Sequence, residues 1–546
     1  MMTFRKINIA LIILSLSIFL FLMAWIVIYN LIFPVPNMLD LVPNNITGYF
    51  DVYDLHKVLS NVLRSEFMRR VVQSPWWANF KTTGLWNEID TQFKEFQQFG
   101  VDQSLIFRLI GTHSVVGFYL DANQTKIDYI LISELDVPTR IALSFGQIKK
   151  FISPEFTVTK LKYNGKTITT IKSPQGSYIY TFVGRVGVLS DDEYLVQKTL
   201  DAYKNRKNRL SFMPEFKQID LDLPSTNVSF YANTAKLRDS SKLLERYGFQ
   251  YKNIPIITNS DMILGIVSQG TGKIRLDSAI LHRQIDNSSK PLIKDGLPFP
   301  SNCLALTTHR SLNPKALFHW LTQNVSSAFS IIGDDVLPTV SGSVAEAVVS
   351  PKGNGNQFPS ILLYMQVKSR TLAEAKLYEL KYLLRLRDEQ IKFTETTYKN
   401  AKITYSSYIP GVNFPIGFGY VFIKDDILLM ATDEFSIREV LDVLNGDERS
   451  FINQSQYADV MSSINGRADE MAFINLREMS PIVEQVSRLY LYQGMFTGNR
   501  SGENVATMLA DNAFILGSWD YLGAVWNSKD NITNLKLILT REKSSP

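Results

Sequence analysis

The chain has 546 residues, is 45% hydrophobic, 12% aromatic and 20% charged, and carries a formal net charge of +5. Its 57 basic and 52 acidic residues are interspersed, so no basic block or arginine stripe points to nucleic acid, and a nucleic-acid partner is excluded. A single cysteine, Cys303, excludes an intrachain disulfide, and its neighbours Leu304, Ala305 and Leu306 predict a buried structural thiol rather than a nucleophile. A large secreted eukaryotic domain usually carries disulfides, so their absence leans toward a bacterial envelope protein.

In chain order, the first signal is Arg5 and Lys6 followed by an uncharged stretch from Ile7 to Leu39. About 20 apolar residues cross a hydrocarbon core, so residues 7–33 read as a transmembrane signal anchor. Trp25 and Tyr29 fall near one end, and Pro34 and Pro36 close the helix. A cleaved signal peptide has a shorter apolar region and a small-residue cleavage site, which is not seen here. The positive-inside rule leaves residues 1–6 as a cytoplasmic tail and sends everything after the span outside, as a single-pass inner-membrane protein with a periplasmic bulk. Sequons at Asn45, Asn123, Asn227, Asn287, Asn324, Asn453, Asn499 and Asn531 matter only in a eukaryotic source.

Compared with itself, the chain shows an internal duplication. Tyr180 opens YTFVGRVGVLSDDEYLVQKTLDAY and Tyr420 opens YVFIKDDILLMATDEFSIREVLDVL, placing Asp192, Glu193, Leu200 and Asp201 opposite Asp433, Glu434, Leu441 and Asp442. Before these, the polar-turned hairpins Thr159–Ser173 and Thr396–Ser407 correspond. Asn164-Gly165 suits a turn in which both residues take positive φ. After them, Val228–Leu237 matches Met471–Met479, and both copies close on a hairpin ending at Arg283 or Arg541. The matches keep their order, which predicts a first repeat over 41–290 and a second over 295–546, joined near Ser288–Pro300.

Each repeat is expected to be α+β, with helices on one face of an antiparallel sheet. Period-2 patterning assigns Leu535, Leu537 and Leu539 to the inner face of a strand. Helices are predicted at Pro138–Ile152, Asp192–Tyr203 and Thr234–Tyr247, with counterparts at Leu372–Arg387, Asp433–Leu444 and Leu476–Leu489. Asp192 and Asp433 stand where an N-cap carboxylate belongs. The first repeat also carries a long helical insert, about Val58–Leu109, and the second a shorter one, about Pro314–Val340. Trp76, Trp77 and Trp86 in the first insert read either as core between helices or as an exposed patch for a partner or membrane surface.

A search for chemistry finds no Gly-x-Ser-x-Gly, His-Glu-x-x-His, Walker or Cys-x-x-Cys motif. His56, His113, His282, His309 and His319 do not pair at metal-ligand spacing. The carboxylate clusters Asp191-Asp192-Glu193, Asp220/Asp222, Asp334-Asp335 and Asp425-Asp426 sit at turns or helix starts, where Asp serves local hydrogen bonds. Ser350–Ser360 reads as a hairpin loop rather than a phosphate cradle. No catalytic, metal or cofactor residues are assigned, and no cofactor is expected.

The opening VPNNITGYFDVYDL, the helix HKVLSNVLRSEFMRRV, the step FGVDQSLIFRLIGTHSVVGFYL and the later hairpin, Asp-Glu helix and strand from Phe182 to Tyr231 together resemble a family. It comprises bacterial membrane-anchored proteins with a domain of unknown function, numbered 3352. The resemblance implies an envelope location and a duplicated α+β fold, and it brings no catalytic residues. Taken together, the expected function is a membrane-anchored extracytoplasmic binding or scaffold protein of the bacterial envelope, without catalysis and with an envelope protein partner. Two alternatives are a carrier of lipid or another hydrophobic ligand in a groove between the repeats, and an envelope polymer hydrolase using cleft carboxylates.

Overall fold

A computed structural model describes residues 34–54, 66–82, 111–120, 127–136, 157–172, 177–218, 228–240, 258–270, 272–282, 297–309, 339–350, 359–408, 417–464, 470–497, 516–529 and 531–541, with a few single positions between them. The chain divides into two compact units, Met1–Met68 with Phe80–Ile266, and Arg69–Asn79 with Val267–Pro546.

β1 (Gly48–Tyr53) of the first unit is followed in the chain by the short helices α1 (Glu66–Gln73) and α2 (Pro75–Phe80), of which Arg69–Asn79 belongs to the second unit. Then come β2 (His113–Leu120), β3 (Ile127–Glu134), β4 (Thr157–Tyr163), β5 (Lys166–Lys172), β6 (Ser177–Val183) and β7 (Val186–Ser190). The helices α3 (Glu193–Lys204) and α4 (Pro214–Gln218), β8 (Val228–Ala232), α5 (Thr234–Asp239) and β9 (Ser260–Gly270) complete this part of the chain. Antiparallel ladders order the strands β4–β5–β6–β7–β3–β2–β1–β8.

The second unit opens with β10 (Lys273–His282), followed by β11 (Cys303–His309), β12 (Val340–Val349), β13 (Ser360–Val367) and the long helix α6 (Arg370–Arg387). Next come β14 (Thr394–Tyr398), β15 (Ala401–Ser406), β16 (Phe418–Lys424), β17 (Ile427–Ala431), α7 (Glu434–Leu444) and α8 (Ser455–Ser462). β18 (Glu470–Asn475), α9 (Leu476–Thr497), β19 (Tyr521–Lys529) and β20 (Ile532–Thr540) finish the chain. Its ladders run β14–β15–β16–β17–β13–β12–β11–β18–β19–β20–β10, so the first eight strands keep the order of the first unit.

Two expectations are corrected. The α+β class gives way to a mainly β protein. Twenty strands in antiparallel ladders dominate the described residues, and comparatively few helices attach to them. The N-terminal transmembrane helix is not supported, because among the described residues no helix is long and apolar enough to cross a membrane. Residues 7–33, to which that span was assigned, lie outside the described residues, as do most of Pro138–Ile152 and Pro314–Val340.

Helices also occupy both faces of the second unit's sheet rather than one. Leu306, Ala347, Leu362, Tyr364 and Leu429 pack against Ile437, Val440 and Leu441 of α7 and Val460 of α8. The opposite face, with Val344, Met365, Phe418, Leu428 and Met430, packs against Ala373, Leu377, Leu380 and Leu384 of α6. Two-sided burial explains why β17 reads ILLMA without alternation and is buried along its length. In β20 the residue that enters the core is Ile538, while Leu535, Leu537 and Leu539 are half-buried.

Candidate functional site

The corner where a strand hands over to the acidic helix is built alike in both units. In the first, Ser190 ends β7 and donates its hydroxyl to the Tyr129 carbonyl at 2.6 Å, while Asp192 caps α3 by accepting from the Tyr194 amide at 2.8 Å. In the second, the Thr432 hydroxyl accepts from the Ile361 amide at 2.9 Å, and Asp433 caps α7 by accepting from the amides of Phe435 at 3.2 Å and Ser436 at 3.1 Å. A carboxylate at a helix start satisfies free amides and meets the positive end of the helix dipole. The cap fixes the second helical residue on the outside of the first turn. There Tyr194 is 45% exposed and Phe435 64% exposed.

The adjoining strand carries an exposed apolar residue at the matching place in each unit, Tyr129 in the first and Ile361 in the second, on the sheet face away from the helix. Register makes them equivalent, since Ile130 faces Ser190 and Leu362 faces Ala431. Tyr119 adds a third ring in the first unit, 6.4 Å from Tyr194. An exposed ring at the same position of both helix starts is suited to contact with another apolar surface.

The helix behind each corner is tied to the neighbouring hairpin. Asn164 and Gly165 turn β4 into β5 with φ of 50° and 75°, and Lys399 and Asn400 turn β14 into β15 with 46° and 63°. Tyr163 then donates to Asp201 at 2.9 Å, and Tyr398 donates to Asp442 at 2.8 Å. Those carboxylates hold both phenols above their ordinary range, chiefly because the ionised phenol would lose the bond it donates. The aspartates were visible as a repeated pair in the sequence, but their tyrosine partners sit a whole hairpin away and carried no local signal.

One polar cluster has no counterpart. On one face of β1, the Asp51 carboxylate accepts from the His113 ring of β2 at 2.5 Å and from the Ser229 hydroxyl of β8 at 3.5 Å. The Tyr53 ring stacks on His113 with centroids 3.8 Å apart. Tyr49 lies beside the cluster, its phenol pushed up by burial and then by the Asp51 charge. By register, the second unit puts Leu306, Thr308, Met471 and Phe473 where the first has Tyr49, Asp51, Ser229 and Tyr231. The same sheet therefore closes there on mostly apolar packing. His113 entered the sequence reading only as a histidine without a metal partner, and Asp51 was not singled out at all.

The remaining sequence candidates are placed as follows. Trp77 and Trp86 are half-buried, and the Trp77 amide is accepted by the Ser74 hydroxyl at 3.1 Å, at the start of α2. The Trp76 side chain lies outside the described residues. Cys303 is buried among the core of the second unit, and burial pushes its thiol up to about 12.

A model of the family described as "Protein of unknown function (DUF3352)" matches residues 333–497, from β12 to α9. No curated protein matches the chain. Among solved structures it is similar to crystal form IV of TP0453, at 12% identity over 45% of this chain and 81% of that one, with a TM-score of 0.25. Crystal form I of the same protein gives 12% identity over 46% and 81%, with a TM-score of 0.24. Scores of that size carry no argument about fold or function.

Proposed function

We propose that this chain, assigned to the DUF3352 family through residues 333–497, is a non-catalytic binding or scaffold protein of the bacterial cell envelope. It engages an envelope protein partner through the apolar corner of each unit. The observation that supports this most is the recurrence of an exposed ring, Tyr194 and Phe435, at the equivalent helix start of each unit. Burying a large apolar side chain is worth about 1.5–3 kcal/mol, so a partner covering both corners gains from several such residues. Placement outside the cytoplasm rests on sequence alone, on a single cysteine in 546 residues and the resemblance to envelope proteins.

The test is photo-crosslinking from position 194 or 435 in intact cells, followed by purification. Both positions are expected to capture the same envelope protein. The double variant Tyr194→Ser, Phe435→Ser should lower its co-purification by about tenfold or more. Unchanged recovery with the double variant would refute the corner as the binding surface. A C-terminal reporter active only in the cytoplasm would refute the location.

A further inference from the structure

α6 has two apolar faces, and only one is covered within its unit. Ala373, Leu377, Leu380 and Leu384 are buried against the sheet. On the opposite side Tyr378, Tyr382 and Leu386 form a row at four-residue spacing and are 71%, 62% and 66% exposed, with Leu372 and Leu383 exposed beside them. Eighteen residues at 1.5 Å each make this a ridge about 27 Å long.

Charge around the ridge narrows what can cover it. The two acidic residues of the helix are matched within it, Glu374 by Arg370 at 2.9 Å and Glu379 by Lys376 at 2.6 Å. Glu395, beside the helix, is shared by Lys381 at 2.9 Å and Lys402 at 2.7 Å, which leaves one positive charge in excess there. Arg385 is exposed on the same side. A second copy would bring a like-charged ridge against this one, which disfavours self-pairing. The rings at the crest are tyrosines, whose apolar body and polar tip suit the depth of lipid headgroups, and long basic side chains reach anionic phosphates from there.

We propose that the outward face of α6 lies in the interfacial layer of an anionic lipid surface, with Tyr378, Tyr382 and Leu386 entering it and Arg385 facing its phosphates. The ridge shares no residue with the two corners, so the proposal stands or falls independently of partner capture.

Cys303 is buried, with its thiol pushed up to about 12, so an added Tyr382→Cys is the one ready site for a thiol-reactive, polarity-sensitive fluorophore. The full chain labelled at 382 is mixed with vesicles of phosphatidylcholine alone, or with roughly one-third phosphatidylglycerol, each carrying a nitroxide lipid as quencher. A chain labelled through Tyr203→Cys on α3 serves as the comparison. Quenching at 382 should exceed that at 203 by several-fold, only with the anionic vesicles, and should weaken with added salt and with Arg385→Glu. Equal quenching at the two positions, or the same quenching with neutral vesicles, would overturn the proposal. So would shielding of the probe without lipid that grows with protein concentration, or shielding that requires an added envelope protein.

Discussion

His113 and Asp51 show what a single residue pair contributes when its surroundings are known from an internal comparison. The second unit holds its corresponding strands together with Leu306, Met471 and Phe473, so the polar cluster is not a requirement of the topology. Once present, however, it is interdependent. His113→Leu leaves the Asp51 carboxylate largely buried with only the 3.5 Å contact from Ser229. An unmatched buried acceptor costs about 1–3 kcal/mol, more if charged. Amide exchange of β1 and β2 should therefore accelerate by about 5- to 150-fold in that variant. The double change His113→Leu, Asp51→Thr, which borrows the residue at the equivalent place, should recover most of the protection; no recovery would mean that the pair does more than satisfy itself. The carboxyl of Glu395 gives a second residue-scale expectation. Hydrogen bonds from Lys402 and then Lys381 lower it to about 2. A carboxylate depressed in the folded state stabilises above its ordinary range near 4.3, and that contribution is lost as pH falls through the depressed value. Its carbon-13 carboxyl shift should titrate near pH 2 in the native chain, and a midpoint at the ordinary value would show that the lysine bridges do not persist in solution. The side chain is 42% exposed and bridged by lysines at the surface, so little global stability rides on it.

At the scale of elements, the repeated acidic helix start was legible in the sequence because an N-cap is local chemistry. Asp192 and Asp433 both cap, and the hairpin turn at Asn164-Gly165 has the positive φ pair that its residues suit. The two caps are not equal. Asp433 accepts from the amides of Phe435 and Ser436 and from the hydroxyls of Ser436 at 2.8 Å and Ser360 at 3.2 Å, whereas Asp192 accepts from one amide. Asp433→Ala should accordingly cost about 2 kcal/mol, toward the upper end for a cap, and Asp192→Ala nearer the lower end, about 0.5 kcal/mol, as read by exchange within α7 and α3. Equal costs would show that the additional hydroxyl bonds contribute nothing. Illegible in the sequence were the contacts that depend on which strands become neighbours. The period-2 reading chose Leu535, Leu537 and Leu539 over Ile538, because alternation alone does not reveal which face a partner element covers. Likewise the exposed ridge of α6 was hidden: a helix with apolar residues on both sides reads as buried until the structure shows only one side covered.

For the whole molecule, the ladder β14 to β10 makes the second unit a long antiparallel sheet whose last member comes from the start of that unit. β20 pairs with β19 on one side and over nine residues with β10 on the other, Lys273 opposite Thr540 and Leu281 opposite Ile532. A chain begun at residue 297 would uncover that side of β20, a long strand with Ile532, Leu537 and Leu539, and should associate or precipitate under conditions where the full chain gives a single species by size-exclusion chromatography. Equal behaviour would mean that the edge is shielded by other means. The same pairing also sets an order in time. β10 is made roughly 250 residues before the strand that covers it, so the edge that pairs with β20 must wait until β20 has been made. At elongation rates of about 5–20 residues per second that interval lasts on the order of ten seconds or more. During that interval a nascent β10 is a surface that a chaperone has reason to hold, and that edge is covered only when β20 arrives.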